Sequence, residues 1–230
     1  MLSFFNKLFP RRLKLVSAAL SIEAGVLEAK MLRAIAAVDR THKDGALPLL
    51  PITGVLLLDM YGYFLSQDGK AIEITVSTLS PHVELTTLHE LGNFLDYQGL
   101  DHSVEFASVN SPLLAAWRDA IKNSPPIQAL GHYLRPSVST VQVILANGSV
   151  VEYPIDKPYV EYLLKAEELW ARSYLQFVAA KSGDPEILLQ LNSERDHPVD
   201  GINYEQYWTD IDFQPIMAEI EKVFRRLGWM

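Results

Sequence analysis

Two short stretches of this chain hold the side chains best suited to chemistry. The first reads Thr87-Leu88-His89-Glu90-Leu91-Gly92-Asn93-Phe94-Leu95-Asp96-Tyr97. On a helix turning about 100° per residue, Leu85, Leu88, Leu91 and Leu95 form one apolar stripe, and His89, Asn93 and Asp96 fall within roughly 60° of one another beside it. An imidazole, an amide and a carboxylate thus share one edge. Glu90 lies about 100° round from His89, the offset at which a carboxylate can address a water on an ion that the histidine holds. Asp96 is two turns beyond His89, about 10.5 Å along the axis, a strained distance for sharing one ion. His102, past Gly99, could reach back from its loop, although an exposed loop histidine is the plainer reading. The second stretch is Ala166-Glu167-Glu168-Leu169-Trp170-Ala171-Arg172-Ser173-Tyr174. An apolar stripe through Val160, Leu163, Leu164, Trp170, Ala171, Tyr174, Leu175 and Val178 centres on Glu167 and leaves Glu168 about 100° away at its border. Either carboxylate can be the one that lines a cleft. Arg172 falls on the polar side of this helix, where an ion pair with Asp96 or Glu90 is open to it.

The first stretch resembles the motif helix of the zincin metallopeptidases, His-Glu-x-x-His. It is closest to the subgroup reading His-Glu-x-x-His-x-x-Asp, which includes the Mlc titration factor-type peptidases and the metallopeptidase-like domains of phage and mobile-element proteins. The resemblance covers about residues 40–225. It implies a mainly helical α+β fold with a small sheet packed on the motif helix, and a Zn2+ site, or one for another divalent metal. It carries over His89 as first ligand, Glu90 as general base, Asp96 as the supporting carboxylate and Glu168 as the ligand on the downstream helix. Where the family has its second histidine, this chain has Asn93, whose amide oxygen is a far poorer zinc ligand than imidazole.

Two functions follow from that resemblance. One is a zinc-dependent peptidase acting on a protein or peptide substrate, in which Glu90 takes a proton from a metal-activated water and passes it to the leaving amine. The other, motivated by Asn93, is an inactive pseudo-peptidase that keeps the fold as a binding or assembly module of a phage or mobile element. Tyr153, Tyr159, Tyr162 and Tyr174 are candidates for a phenol at such a site, with core packing the commoner role for aromatics so spaced. His82, His132 and His197 have no motif around them.

Composition narrows the field. The 230 residues are 49% hydrophobic and contain no cysteine, which excludes thiol catalysis, iron–sulfur clusters and cysteine-held zinc and leaves 6 His, carboxylates and neutral oxygens as donors. The formal charge of −8 argues against nucleic acid as a partner. No apolar run approaches the ~20 residues of a membrane span, and Leu15–Ile22 is short for a signal-peptide core, so the chain reads as cytoplasmic. The opening basic and aromatic residues could alternatively form an amphipathic helix touching a membrane or a protein partner.

The elements expected to position these side chains begin with an N-terminal helical segment over 1–40, followed by the main domain over 41–230. Strands are expected at 54–63 and 71–77 with Asp68-Gly69 turning between them, then a helix capped by Ser80 and running to about Gln98. Further helices are expected at 112–123, 158–181 and 213–227, with a hairpin at 138–155 turning on Asn147-Gly148.

Overall fold

The computed structural model describes residues 25–43 and 47–230. Its architecture is α+β and mainly helical. Helix α1 (Gly25–Thr41) leads into strands β1 (Ile52–Val55), β2 (Gly62–Gln67) and β3 (Lys70–Ser77), which form one sheet in the order β1-β3-β2. Helix α2 (Val83–Phe94) follows and continues as a π turn over Leu95–Gly99. Then come the short α3 (Ala107–Asn110), α4 (Ala115–Lys122), α5 (Pro125–Tyr133), the hairpin β4 (Thr140–Ile144) and β5 (Val150–Pro154), α6 (Lys157–Leu163), α7 (Ala166–Ser182), α8 (Pro185–Arg195) and α9 (Asp210–Arg226).

Helix α7 is the centre of the molecule. Every residue from Leu169 to Ala179 is buried, with α2 and α1 among its main neighbours. It ends where Gly183 turns left-handed at φ 63°, a conformation that costs glycine nothing. The sheet lies on α2 through β2 and β3. The main core joins Leu88, Leu91 and Phe94 of α2 to Trp170, Tyr174 and Phe177 of α7 and to Ile74 and Val76 of β3. A smaller core under the β4–β5 hairpin gathers Leu130, Val160, Leu163, Ile202 and Tyr204.

Several expectations are refined by this arrangement. Met31, Ala34 and Ala37 of α1 sit in the main core, so position 40 marks the end of a helix that shares the core of residues 41–230. Residues 1–24 of the expected N-terminal helical segment, and with them the N-terminal targeting question, lie outside the described residues. The single strand expected over 54–63 is two strands, because β1 pairs parallel with β3 and β2 pairs antiparallel on its other side. The chain between them must cross the end of β3, and there Ser77 Oγ receives Leu57 N–H at 3.3 Å and donates to Leu57 O at 3.0 Å. Asp68 and Gly69 make the β2–β3 turn with φ of 51° and 74°, as a tight hairpin requires. The helix expected over 158–181 breaks at Leu164–Lys165, where Lys165 is extended (ψ 140°). Ser80 accepts the His82 N–H at 3.3 Å instead of capping directly, and α3, α5 and α8 are additional elements. Among the described residues no helix is long and apolar enough to cross a membrane.

Candidate functional site

The site forms where α2 and α7 cross, and Gly92 sets their separation. A Cβ at this position would lie 2.9 Å from Ala171 Cα and 3.1 Å from the Tyr174 ring, inside the contact distance of carbon atoms. The same crossing is tied by Trp170, whose indole Nε1 donates to Gly92 O at 3.1 Å. With the backbones this close, side chains one turn earlier on α2 meet those at the start of α7.

His89 and Glu168 meet there, with His89 Nε2 and Glu168 Oε2 3.3 Å apart and both side chains largely shielded from solvent. Burial alone pulls the imidazole pKa down, but the Glu168 hydrogen bond and charge, with the charge of Glu90 behind them, leave it above the usual histidine value. Burial pushes the Glu168 carboxyl up. The bond to His89 and the donated hydrogen bond of Tyr162 outweigh it, so the carboxyl titrates below the usual range. Tyr162 itself is driven well above an ordinary phenol by burial and by the facing Glu168 charge, so it remains a donor. This is the one candidate phenol in contact with Glu168 among the described residues. Tyr174 is instead buried and bonded to His42 Nε2 at 2.9 Å.

Glu90 is buried on the sheet side of α2. Burial raises its carboxyl above the normal range, only partly offset by His89, Asn93 and the backbone N–H of Phe64 on β2. Asn93 Nδ2 donates to Glu90 Oε2 at 3.0 Å. The residue expected as a metal ligand is thereby turned, through its nitrogen, onto the residue expected as the base.

Arg172 and Asp96 occupy places different from those the sequence suggests. Arg172 is 3% exposed and pairs with neither Asp96 nor Glu90. Its Nε donates to Glu168 O at 3.3 Å, and its terminal nitrogens donate to the carbonyls of Gln206 and Leu163. It therefore ties the α6–α7 break and the loop before α9 to the backbone of Glu168. Asp96, fully buried, accepts Ser108 N–H at 2.6 Å and the Ser108 hydroxyl at 2.5 Å. It anchors the start of α3 through Ser108, and among the described residues no hydrogen bond joins it to His89. Burial raises its carboxyl to about 7, the Ser108 bonds opposing and the Glu167 charge adding to the rise. Glu167 thus acts on Asp96, and Glu168 is the member of the acidic pair that meets His89.

The other histidines lie elsewhere. His82 pairs with Glu194 at 3.2 Å, and His102, His132 and His197 are exposed. A surface cavity of about 390 Å³ lined by Gly69, Tyr97, Gln98, His102, Val104 and Glu105 shares no residue with the site.

Catalytic zinc sites hold the ion with three protein ligands and leave one position open. Here His89 and Glu168 present two such donors. Asn93 donates its amide N–H to Glu90, and among the described residues no group of three or more His, Asp or Glu side chains stands together to hold an ion. The donor set as built does not suit a three-ligand zinc centre. Each carboxylate already has donors from the protein: Asn93 and Phe64 for Glu90, His89 and Tyr162 for Glu168.

Phe64, Gly92 and Tyr162 complete the site beyond the motif. Tyr162 is one of the candidate phenols, Gly92 shows as a glycine inside an otherwise strong helical pattern, and Phe64 leaves no such trace in the sequence. Comparisons with protein-family models, with curated proteins and with solved structures give no match to this chain.

Proposed function

We propose that this chain is a zincin-like protein that works as a metal-free binding or assembly module for a peptide or protein partner, as a phage or mobile element would use one. The observation that carries this reading is the Asn93–Glu90 hydrogen bond of 3.0 Å beside the His89–Glu168 pair at 3.3 Å. Buried polar groups cost free energy unless they are paired. In this site the four side chains pair with one another and with Phe64 and Tyr162, so the arrangement is satisfied without an ion.

The edge position of β2 supports a peptide as the partner. Phe64 turns its N–H toward Glu90, and the sheet order leaves β2 open on that side. Edge strands present unpaired backbone groups that an extended segment can take up. The loop entering β2 adds Leu56, Leu58, Met60 and Tyr61, all exposed, as apolar surface for its side chains.

A second reading, zinc-dependent peptide hydrolysis, is favoured by the His89–Glu168 pair at 3.3 Å with the Glu90 charge acting on the same imidazole. The two separate in one experiment on the purified full chain: metal content, together with peptidase activity before and after Glu90→Gln. The module reading expects substoichiometric divalent metal and no activity that Glu90→Gln removes. Stoichiometric metal with cleavage lost in that variant would establish the hydrolase.

A further inference from the structure

We infer that the β4–β5 hairpin carries a self-association surface, and that its partner is the β4 strand of a second copy of this chain. The inference stands apart from the α2–α7 crossing and from the reading of that site.

The first argument is which backbone groups the hairpin leaves open. Ile155 N–H donates to Ser139 O at 3.0 Å and Leu145 N–H to Ser149 O at 2.8 Å, and β4 pairs antiparallel with β5 with Gln142 opposite Glu152. Hydrogen-bonded positions alternate along an antiparallel strand. The backbone groups of Val141 and Val143 therefore face β5, and those of Thr140, Gln142 and Ile144 face away from it. On the far edge of β5 the corresponding positions are Val150, Glu152 and Pro154. A proline without an N–H and a charged side chain are what keep a strand edge from pairing. The open edge of β4 has neither.

The second argument is charge. The chain has a formal charge of −8, so copies repel one another in general. Residues 136–151 contain no Asp, Glu, Lys, Arg or His, and Ile144 and Val150, paired at the end of the hairpin, are 75% and 57% exposed. Two copies can meet there without opposing charge and with apolar surface to cover.

The third argument is self-complementarity. About a two-fold axis at Gln142, β4 runs antiparallel to its own copy, with Gln142 opposite Gln142 and Thr140 opposite Ile144. Every outward donor and acceptor of these three residues then has a partner, about six hydrogen bonds in all. Side chains directly opposite share a face, so Val141, packed on the smaller core, meets Val143 of the copy and the apolar underside continues across the junction. A strand of another sequence would have to match this alternation, which the copy does by symmetry. One strand pair buries less than the ~1,000 Å² of a lasting interface, so the dimer is expected to be reversible.

The test is sedimentation equilibrium of the full chain up to about 1 mM, with disulfide trapping to check the register, since the native sequence has no cysteine to interfere. The native chain is expected to pass reversibly from monomer to dimer. Gln142→Pro removes an outward donor and leaves the β4–β5 ladder bonds in place, and should weaken the dimer by about 10-fold or more. Ile144→Lys should also weaken it by setting a charge at each end of the junction, and decides the matter if the proline variant fails to fold by circular dichroism. A hydrogen-bonded antiparallel pair holds its Cα atoms about 5.5 Å apart, within reach of a disulfide. Diamide should therefore link Gln142→Cys into dimers and leave Thr140→Cys, whose two copies would lie about 14 Å apart, largely unlinked. A native chain that stays monomeric throughout this range overturns the inference and leaves the β4 edge to a strand of another protein. A dimer that the folded variants form as tightly as the native chain, or equal linking at positions 140 and 142, also overturns it.

Discussion

The Asn93 side-chain amide donates to Glu90 Oε2 at 3.0 Å, and this bond joins the residue at the expected second-ligand position to the expected base. A carboxylate so held, with the Phe64 N–H on it as well, has protein donors where a catalytic site would leave room for water. His89 and Glu168 are committed to each other in the same way. The chemistry of the site follows from these two pairs, and their geometry follows from the close α2–α7 crossing.

That crossing predicts the effect of Gly92→Ala. Glycine to alanine inside a helix ordinarily stabilises by about 1 kcal/mol. Here the new methyl would sit 2.9 Å from Ala171 Cα, and a backbone atom cannot rotate aside. Overpacking of this kind costs about 1–3 kcal/mol, so the net effect is a loss. Thermal unfolding should show a lowered midpoint.

Arg172→Lys is not conservative here. The guanidinium serves the carbonyls of Leu163, Glu168 and Gln206 from three different nitrogens, which a single ammonium cannot reproduce. Leaving such buried carbonyls without donors costs about 1–3 kcal/mol each at most. Urea unfolding is expected to show a loss of several kcal/mol, and hydrogen exchange should quicken first at the start of α7.

Asp96→Asn tests whether Asp96 acts on α3 or on the His89 site. The substitution places an N–H2 where the Ser108 N–H and hydroxyl now donate. A loss of about 1–3 kcal/mol in unfolding free energy is expected, with faster exchange over 107–110. The imidazole shift of His89, followed by NMR titration, should stay unchanged.

The same residue gives the stability a pH dependence. Asp96 titrates near 7 in the folded protein against 3.8 as a free carboxyl, so the native state binds this proton more tightly than the unfolded chain. Its contribution is therefore fully present below about pH 4 and is lost as pH rises through 7, up to about 4 kcal/mol in all. The protonated form is accommodated because the Ser108 hydroxyl can turn from donor to acceptor. Glu90 and His89, both raised, work in the same direction, and Glu168, which is lowered, works in the opposite one below its ordinary range. Unfolding free energy should fall from about pH 4 to about pH 7, with a shallower slope in Asp96→Asn.

Much of the scaffold was legible in the sequence because it is written in local patterns. The leucine stripe through Leu85 to Leu95, the Asp68-Gly69 and Asn147-Gly148 turns and the strand at 71–77 each obey a period or a backbone preference that a few residues determine. The meeting of His89 with Glu168 came through motif spacing, where the helical wheel centred on Glu167. The wheel misleads because α7 is buried on all sides, and a helix without a solvent face has no stripe whose border can be read. The roles of Asp96, Arg172 and Phe64 depend on partners 12 to 34 residues away, as in Asp96 with Ser108 and Arg172 with Gln206. The split of 54–63 into two strands likewise depends on which side of β3 each takes, a choice made by the whole sheet.

The central claim, that the native site is complete without an ion, is tested most directly by equilibrium dialysis of the purified native chain against zinc, followed by metal analysis. The account predicts no stoichiometric zinc retained after dialysis into metal-free buffer, and no change in the unfolding midpoint when zinc is added. One zinc per chain, retained through dialysis and lost in both His89→Ala and Glu168→Gln, would contradict it.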